Sequence, residues 1–329
     1  MAHDRQTGLD DDPAALVIEE LGDLVGAAPA APTGFAPSVV TGTYVCDPPF
    51  FGGADVGRLA VSGVVNSLAT AGARPRSLAL ALTVEAGLPR QLLRRLAESL
   101  RDTVHESGVT VAAVHGRVVR AGDADRVYVT ATGIGTAAPC PPDGARPGIR
   151  PGDRVLVTGP LGDHEAHLLS LRAGLGFEHH VASGCAPLTG LLDTVRAGGY
   201  EGAVRAAAEL NEGGLASVLR SFGAGGRTGV RIDGDALPLR AETRVALETL
   251  GIAPWDAASP GSLCLVVSPE DAAGVLAALR SHRYGRWAAL VGRVTAPAER
   301  LAGPVEVRDA DGTVRALPAP VNEPARRLF

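Results

Sequence analysis

The stretch TGTYVCDPPFFGGADVGRLAVSGVVNSLATAGARP, residues 41–75, predicts a strand, a turn-rich loop and a buried helix in close succession. The segment SVVTGTYVC, residues 38–46, alternates in the manner of a strand. Residues 57–71 carry small and apolar side chains around most of their circumference, which predicts a helix buried against a sheet. Asp55 precedes this helix and is typical of an N-cap.

The pattern continues outward from this stretch as a mixture of strands and long helices. The next predicted elements are an apolar strand, an amphipathic helix and two strands, at residues 76–85, 88–107, 109–119 and 125–137. Residues 138–152 are rich in Pro and Gly and predict a domain boundary. Strands and helices then resume, with a hairpin predicted across Asp311 and Gly312. The chain is therefore predicted to be a two-domain α+β protein.

Composition excludes several classes of function. A net charge of -5 over 329 residues argues against a nucleic-acid partner, which would require a basic surface. The sequence contains no Lys, which excludes Schiff-base chemistry and a P-loop lysine. No apolar run is long enough to span a membrane, and the acidic start lacks a signal-peptide core. The four cysteines form no CxxC pair, and we expect buried thiols in a cytoplasmic protein.

Residues 41–75 resemble the HypE hydrogenase-maturation proteins of the PurM, or AIR synthase-related, superfamily. The resemblance continues in family order over about nine tenths of the chain. The matching phrases are VRAGDADRVYVTATGIG (119–135), PGDRVLVTGPLGDH (151–164), SGCAPLTGLL (183–192), ELNEGGLASVL (209–219), LETLGIAPWDAASPGSLCLVV (247–267) and ALVGRV (289–294).

The resemblance implies a two-domain PurM/HypE-like α+β fold with a dimer-forming N-terminal sheet domain and a ferredoxin-like C-terminal domain. The expected divisions are an N-terminal helix and linker, two domains and a tail, at residues 1–37, 38–150, 151–303 and 304–329. Family members bind ATP with Mg²⁺ in a cleft at the dimer interface. HypE proteins use it to dehydrate a thiocarboxamide on their own C-terminal cysteine.

The sequence departs from the family at positions that the resemblance gives to metal and phosphate. Gly42 and His115 stand where the family has Asp, and Ser67 replaces the Asp of its VND motif. Glu212 replaces an Arg, which removes a cation from an anion site. These changes argue against Mg²⁺-ATP binding, and we leave the cofactor unassigned. The sequence closes on Phe329 rather than the family's cysteine, so we expect no thiocyanate to form on its own tail.

The resemblance also implies the site residues. We expect His115 and Glu85 to be catalytic, and the cofactor-binding or ligand-binding residues to be Thr41, Thr43, Asp55, Asn66, Asn211, Gly213 and Gly214. All of these except Glu85 and Gly214 are expected to line the domain cleft. Structural alternatives remain open: an N-cap for Asp55, a tight turn for Gly213 and Gly214, and a hydrogen-bonded strand residue for His115.

Further alternatives concern metals and function. His164 and His167 are spaced for a metal pair on a helix, but His164 also belongs to the family's GDH phrase, and we assign no metal. The first functional hypothesis is a divergent protein that acts on a small-molecule carboxamide or carbamoyl-type group. The second is a non-catalytic subunit that binds a ligand or a protein partner. A third, thiocyanate chemistry transferred to Cys46, would require that thiol to be reactive.

The N-terminal sheet should pair with a second copy of the chain, because an unpaired edge would expose apolar strands such as residues 78–84. Light scattering at micromolar concentration should therefore show a mass near twice 33.5 kDa. A species of 33.5 kDa alone would contradict the predicted homodimer.

Overall fold

The computed structural model describes Leu21, Gly26 and residues 36–137, 148–223, 228–300 and 302–317. Apart from Leu21, which is helical, the helix expected within residues 1–37 lies outside the described residues. Cys140 and the closing residues through Phe329 also lie outside them. Within the described part, no helix is both long enough and apolar enough to cross a membrane.

The N-terminal half contains a four-stranded sheet with two helices. The elements are β1 (Ala36–Tyr44), β2 (Phe50–Phe51), β3 (Ala54–Asp55), α1 (Val56–Thr70), β4 (Ala73–Glu85), α2 (Arg90–Ser107), β5 (Thr110–Val119) and β6 (Val127–Ala137). The sheet order is β1-β6-β4-β5, so β1 and β5 are its edges. Strands β4 and β5 are parallel and are joined through α2, and the other pairs are antiparallel.

The C-terminal half contains a seven-stranded sheet. Its elements are β7 (Arg154–Val157), α3 (Asp163–Ala173), α4 (Thr189–Ala197), β8 (Val204–Leu210), α5 (Gly214–Gly223), β9 (Gly229–Asp233), α6 (Ala241–Leu250), β10 (Ser259–Val267), α7 (Ala272–Ser281), β11 (Ala289–Thr295), β12 (Val305–Arg308) and β13 (Val314–Ala316). The order is β13-β12-β9-β11-β7-β10-β8. The predicted hairpin across Asp311 and Gly312 is confirmed, and it extends this sheet within the range expected to be a tail.

Helix α1 is central to the molecule. It packs against β1 and β6 of the first sheet and also contacts β8 and β10 of the second. Because it is covered on both sides, most of its residues are buried. The amphipathic α2 instead buries one stripe, which includes Leu93, Leu96, Leu100 and Val104, against the N-terminal core. The all-round apolar pattern of α1 is thus explained by its position between two layers.

The start of α5 depends on a close approach of two backbone segments. Gly214 has a φ of +55°, and a Cβ added there would lie 2.6 Å from the carbonyl oxygen of Ala257. The same stretch of chain holds α5 in place, because the carbonyl of Trp255 accepts a hydrogen bond of 2.8 Å from the Ala216 N–H.

Gly214→Ala should therefore lower the free energy of unfolding by about 2–4 kcal/mol, the sum of left-handed strain and a backbone clash. Gly251→Ala is the matched control, since Gly251 has a φ of +70° but open space around its Cβ position. It should lower the free energy of unfolding by only about 1 kcal/mol. Urea unfolding of both variants measures the difference, and equal losses would show that the contact with Ala257 is unimportant.

Candidate functional site

The side chain of Asn66 joins the two halves of the protein. It is fully buried on α1. Its Nδ2 donates to the Ala186 carbonyl at 3.0 Å and to Oε1 of Glu209 at 2.6 Å. Its Oδ1 accepts the Leu188 N–H at 2.7 Å. Asn66, expected to bind a ligand, therefore has three protein partners in the C-terminal half.

Glu209, near the end of β8, is the buried acid of this junction. Besides Asn66, its Oε1 accepts the Gly261 N–H at 3.1 Å. That N–H is available because the register of β10 against β8 shifts between Ser259 and Leu263. Burial raises the pKa of Glu209 to about 7, since the three N–H donors offset only part of the loss of solvation. The carboxyl group is thus poised to gain or lose a proton near neutral pH.

Asn211 extends the junction from Glu209 toward the surface. Its Nδ2 lies 3.4 Å from Oε2 of Glu209, and the residue is only partly buried. Gly213 and Gly214 follow in a turn that begins α5, where the Gly214 N–H donates to the Asn211 carbonyl at 2.9 Å. The structure therefore brings together four of the predicted binding residues, Asn66, Asn211, Gly213 and Gly214, with Glu209 among them.

Thr41, Thr43 and His115 lie elsewhere, on the outward face of the four-stranded sheet. Thr43 pairs with Thr130, Thr130 with Ala81, and Ala81 with His115, so these residues form one row across the sheet. The hydroxyl of Thr43 is hydrogen-bonded to that of Thr130 at 2.9 Å. All three predicted residues are exposed, whereas α1 and Asn66 lie on the opposite face. Within the chain itself they do not share a pocket with Asn66.

Asp55 and Glu85 have structural partners. The Asp55 carboxylate accepts the Arg58 N–H and the Ser99 hydroxyl, each at 2.9 Å, so it caps α1 and joins it to α2. Asp55 and Asn66 are eleven residues apart on or beside α1, which corresponds to about 16 Å of helix. Glu85 accepts the backbone N–H groups of Gly122 and Arg126, which hold the turn between β5 and β6. These bonds lower the pKa of Glu85.

Two positions where the resemblance expects Mg²⁺-binding carboxylates carry other residues, Gly42 and His115. At position 42, where the resemblance expects a carboxylate, a Cβ would lie 2.9 Å from the Tyr44 ring, so the tyrosine occupies that space. His115 is exposed on the outer face. Within the described residues, no three His, Cys, Asp or Glu side chains cluster closely enough to hold a metal ion.

The histidines on α3 are used by the protein. Nδ1 of His167 lies 2.6 Å from the Val181 carbonyl, which can only accept, so this nitrogen carries the proton. Nε2 then accepts the Gly52 N–H at 2.8 Å. Nδ1 of His164 lies 2.9 Å from the Ser183 hydroxyl. His167 thus connects the loop after β2 to the C-terminal half, whereas His164 is bonded within that half.

The described cysteines match the prediction of buried thiols. Cys46, Cys185 and Cys264 are all buried. Loss of solvation raises the pKa of Cys46 to about 12. Its thiol therefore stays protonated at neutral pH, which argues against thiocyanate chemistry transferred to Cys46.

The sequence offers Glu209 as one of several candidate acids but does not indicate where it lies. Glu209 belongs to the phrase ELNEGG, which carries the family resemblance, yet β8 has an Ala-rich sequence and no strand was predicted over Val204–Leu210. Without that strand, nothing placed the carboxyl group beside Asn66.

Comparison with known proteins identifies relatives along most of the chain. The model for AIR synthase related protein, N-terminal domain, matches residues 26–137, and that for the C-terminal domain matches residues 150–302. Carbamoyl dehydratase HypE from Rhizobium leguminosarum bv. viciae is 39% identical over 262 residues, which cover 78% of this chain and 73% of the relative.

Solved structures agree with these matches. The crystal structure of Escherichia coli HypE superposes with a TM-score of 0.84 at 33% identity, covering 96% of this chain and 99% of that one. HypE in complex with ATP superposes at 0.83 and 31% identity, covering 98% and 95%. A chain of a HypE-HypF complex superposes at 0.79 and 29% identity, covering 95% and 97%.

Glu209→Gln should change how stability depends on pH. The folded-state pKa of about 7 lies above the ordinary value of 4.5, so the folded protein binds more protons than the unfolded protein between these pH values. The stability contributed by Glu209 is therefore fully present at low pH and falls as the pH rises toward 7, by about 3 kcal/mol in total. The glutamine variant lacks this decline.

Urea unfolding at pH 5 and pH 8 measures the effect, and the variant should gain about 2 kcal/mol relative to the unmodified protein between the two. Glu85→Gln is the control and should show no change between pH 5 and pH 8, since both values lie above the ordinary pKa of 4.5. Because the pKa of Glu85 is lowered, its contribution is present at high pH and is lost as the pH falls. Parallel pH profiles for the Glu209→Gln variant and the unmodified protein would contradict a raised pKa.

Proposed function

Because the chain belongs to the AIR synthase-related family and, within it, to the HypE proteins, we propose that it acts on a small carboxamide or carbamoyl-type group at the domain junction. A HypE-like role in hydrogenase maturation is the broader context, supported by relatives named carbamoyl dehydratase HypE. The observation that carries the proposal is the buried carboxyl group of Glu209 beside the amide of Asn211.

The chemistry of this pair suits a primary amide. A carboxamide offers N–H donors and a carbonyl acceptor, and the amide of Asn211 has the complementary groups. Glu209 titrates near pH 7, so it can accept a proton from the N–H side or donate one to the carbonyl side. Asn66 and Gly261 fix its position from both halves of the protein. A neutral substrate is favoured, because Glu212 lies where the family has a cation.

A homodimer is part of this proposal. The outward face of the first sheet exposes Val39 by 62% and Ile134 by 36%, and the two residues are paired across β1 and β6. A second copy packed there would cover this apolar pair and bring its own side chains to the row that contains Thr43 and His115. The expected roles of Thr41, Thr43 and His115 therefore depend on the partner copy.

The second functional class, a non-catalytic subunit that binds a ligand or partner protein, is favoured by one observation. Tyr44 fills the space next to position 42, where a metal-binding carboxylate would stand. A chain that cannot hold Mg²⁺ lacks the usual means of activating a triphosphate. A non-catalytic subunit would bind its ligand at the junction without converting it.

Calorimetry followed by mass spectrometry tests the proposal. The probe is S-carbamoyl-N-acetylcysteinamide, a neutral thiocarbamate, and we expect saturable binding. Asn211→Ala should weaken binding about tenfold, whereas Ser217→Ala, on the next turn of chain, should leave it unchanged. Titration with ATP and Mg²⁺ should give no heat of binding.

The outcomes separate the two classes. Conversion of the bound probe, reduced by Glu209→Gln, supports action on the carbamoyl group. Recovery of the probe unchanged favours the ligand-binding subunit. Probe binding that is indifferent to Asn211→Ala would overturn the site, and a micromolar dissociation constant for ATP would contradict the expectation that Mg²⁺-ATP does not bind.

A further inference from the structure

A cavity lies at the domain junction, one helical turn beyond Asn66 along α1. It has a volume of about 260 Å³. Its walls come from the end of α1, from α4, from the turn before β8 and from β8 itself, which is the edge strand of the larger sheet. The lining residues are Ala69, Thr70, Gly72, Leu192, Val195, Arg196, Glu201, Gly202, Val204, Arg205, Ala206 and Ala207.

Arg205 contributes a positive charge and a buried donor to the wall of this cavity. The Nε of Arg205 is buried, and it has no hydrogen-bond partner among the described residues. Arg196 is different, because it pairs with Asp193 at 2.6 Å and with Glu201 at 3.4 Å. The one carboxylate that lines the cavity, Glu201, is thus occupied by Arg196. Arg205 lies in the wall of the cavity, so an anion that enters the cavity could accept a hydrogen bond from this buried donor.

The shape of the cavity restricts what that anion can be. Small residues keep it open, and Leu192, Val195 and Val204 give it an apolar wall. Since one water molecule takes about 30 Å³ of liquid volume, the cavity has room for about eight non-hydrogen atoms. A ligand that carries one anionic group and a short apolar group matches this lining, whereas a bare inorganic anion would leave the apolar wall uncovered.

We propose that this cavity binds a short-chain organic carboxylate, whose carboxylate pairs with Arg205 and whose alkyl group packs against Leu192 and Val195. The planar guanidinium suits a carboxylate because its N–H groups can form two parallel hydrogen bonds. The ligand would contact α1 of the N-terminal half and α4 and β8 of the C-terminal half. Its binding would stabilise the junction without using Glu209, so this site is independent of the proposed function.

Calorimetry and thermal unfolding of the full chain test the proposal with 3-methylbutanoate as the probe. We expect saturable binding and a rise in melting temperature. The uncharged isostere 3-methylbutanamide should bind at least tenfold more weakly. Arg205→Gln should reduce the affinity for the carboxylate about 10- to 100-fold, and Arg205→Lys should recover part of it. Arg154→Gln, on β7 of the same sheet, is the matched control and should leave binding unchanged.

A second variant keeps Arg205 in place and closes the cavity. A Cβ at Gly202 meets nothing within 4 Å, so Gly202→Leu should fold normally and extend into the open space. It should abolish binding of 3-methylbutanoate. The proposal is overturned if the amide binds as well as the carboxylate, if inorganic phosphate binds more tightly than either, if Arg205→Gln and Gly202→Leu leave binding intact, or if 10 mM carboxylate gives neither heat nor a thermal shift.

Discussion

The amide of Asn66 is bonded to three groups that belong to a different part of the fold. Its helix is anchored on the N-terminal sheet, while the Ala186 carbonyl, the Leu188 N–H and the Glu209 carboxyl all belong to the C-terminal half. Each of these partners is buried, so each would lose about 1–3 kcal/mol if its bond were left unmade. The relative placement of α1 and β8 is therefore strongly restrained, and the position of Glu209 follows from it.

A second set of bonds fixes the other end of α1. The Arg58 guanidinium donates to the Cys185 carbonyl at 2.9 Å, to Glu106 at 2.9 Å and to the Tyr284 hydroxyl at 3.1 Å. Arg58 and Asn66 are eight residues apart, or about 12 Å along the helix. Two attachments at this separation prevent the helix from pivoting between the sheets. The cavity beside Arg205 begins one helical turn beyond Asn66, at the end of α1 away from Arg58.

The sequence predicts an element well when its apolar residues repeat with the spacing of the face that it buries. It does not predict a strand whose conformation depends on pairing with a distant strand. Helix α2 was predicted within two residues because its apolar stripe faces one core. Strand β8 was missed because its alanines carry no strand pattern, and its conformation is imposed by pairing with β10. Strand pairing also limits what the sequence can predict about the candidate site. The resemblance named Thr41, Thr43, His115 and Asn66 together, but strand register sends the first three to the face opposite Asn66.

The family-matching residues at the junction are those that the fold itself needs. Asn66 forms hydrogen bonds across the junction, and Gly214 leaves room for the chain at Ala257 to approach. The altered positions 42 and 115 make no comparable contacts between the halves. Substitutions at these two positions therefore leave the bonds between the halves unchanged. The bonds of Asn66 across the junction also hold the carboxyl group of Glu209, whose pKa of about 7 leaves it protonated about half the time at neutral pH. In its protonated form such a group can donate a hydrogen bond to an uncharged amide as well as accept one.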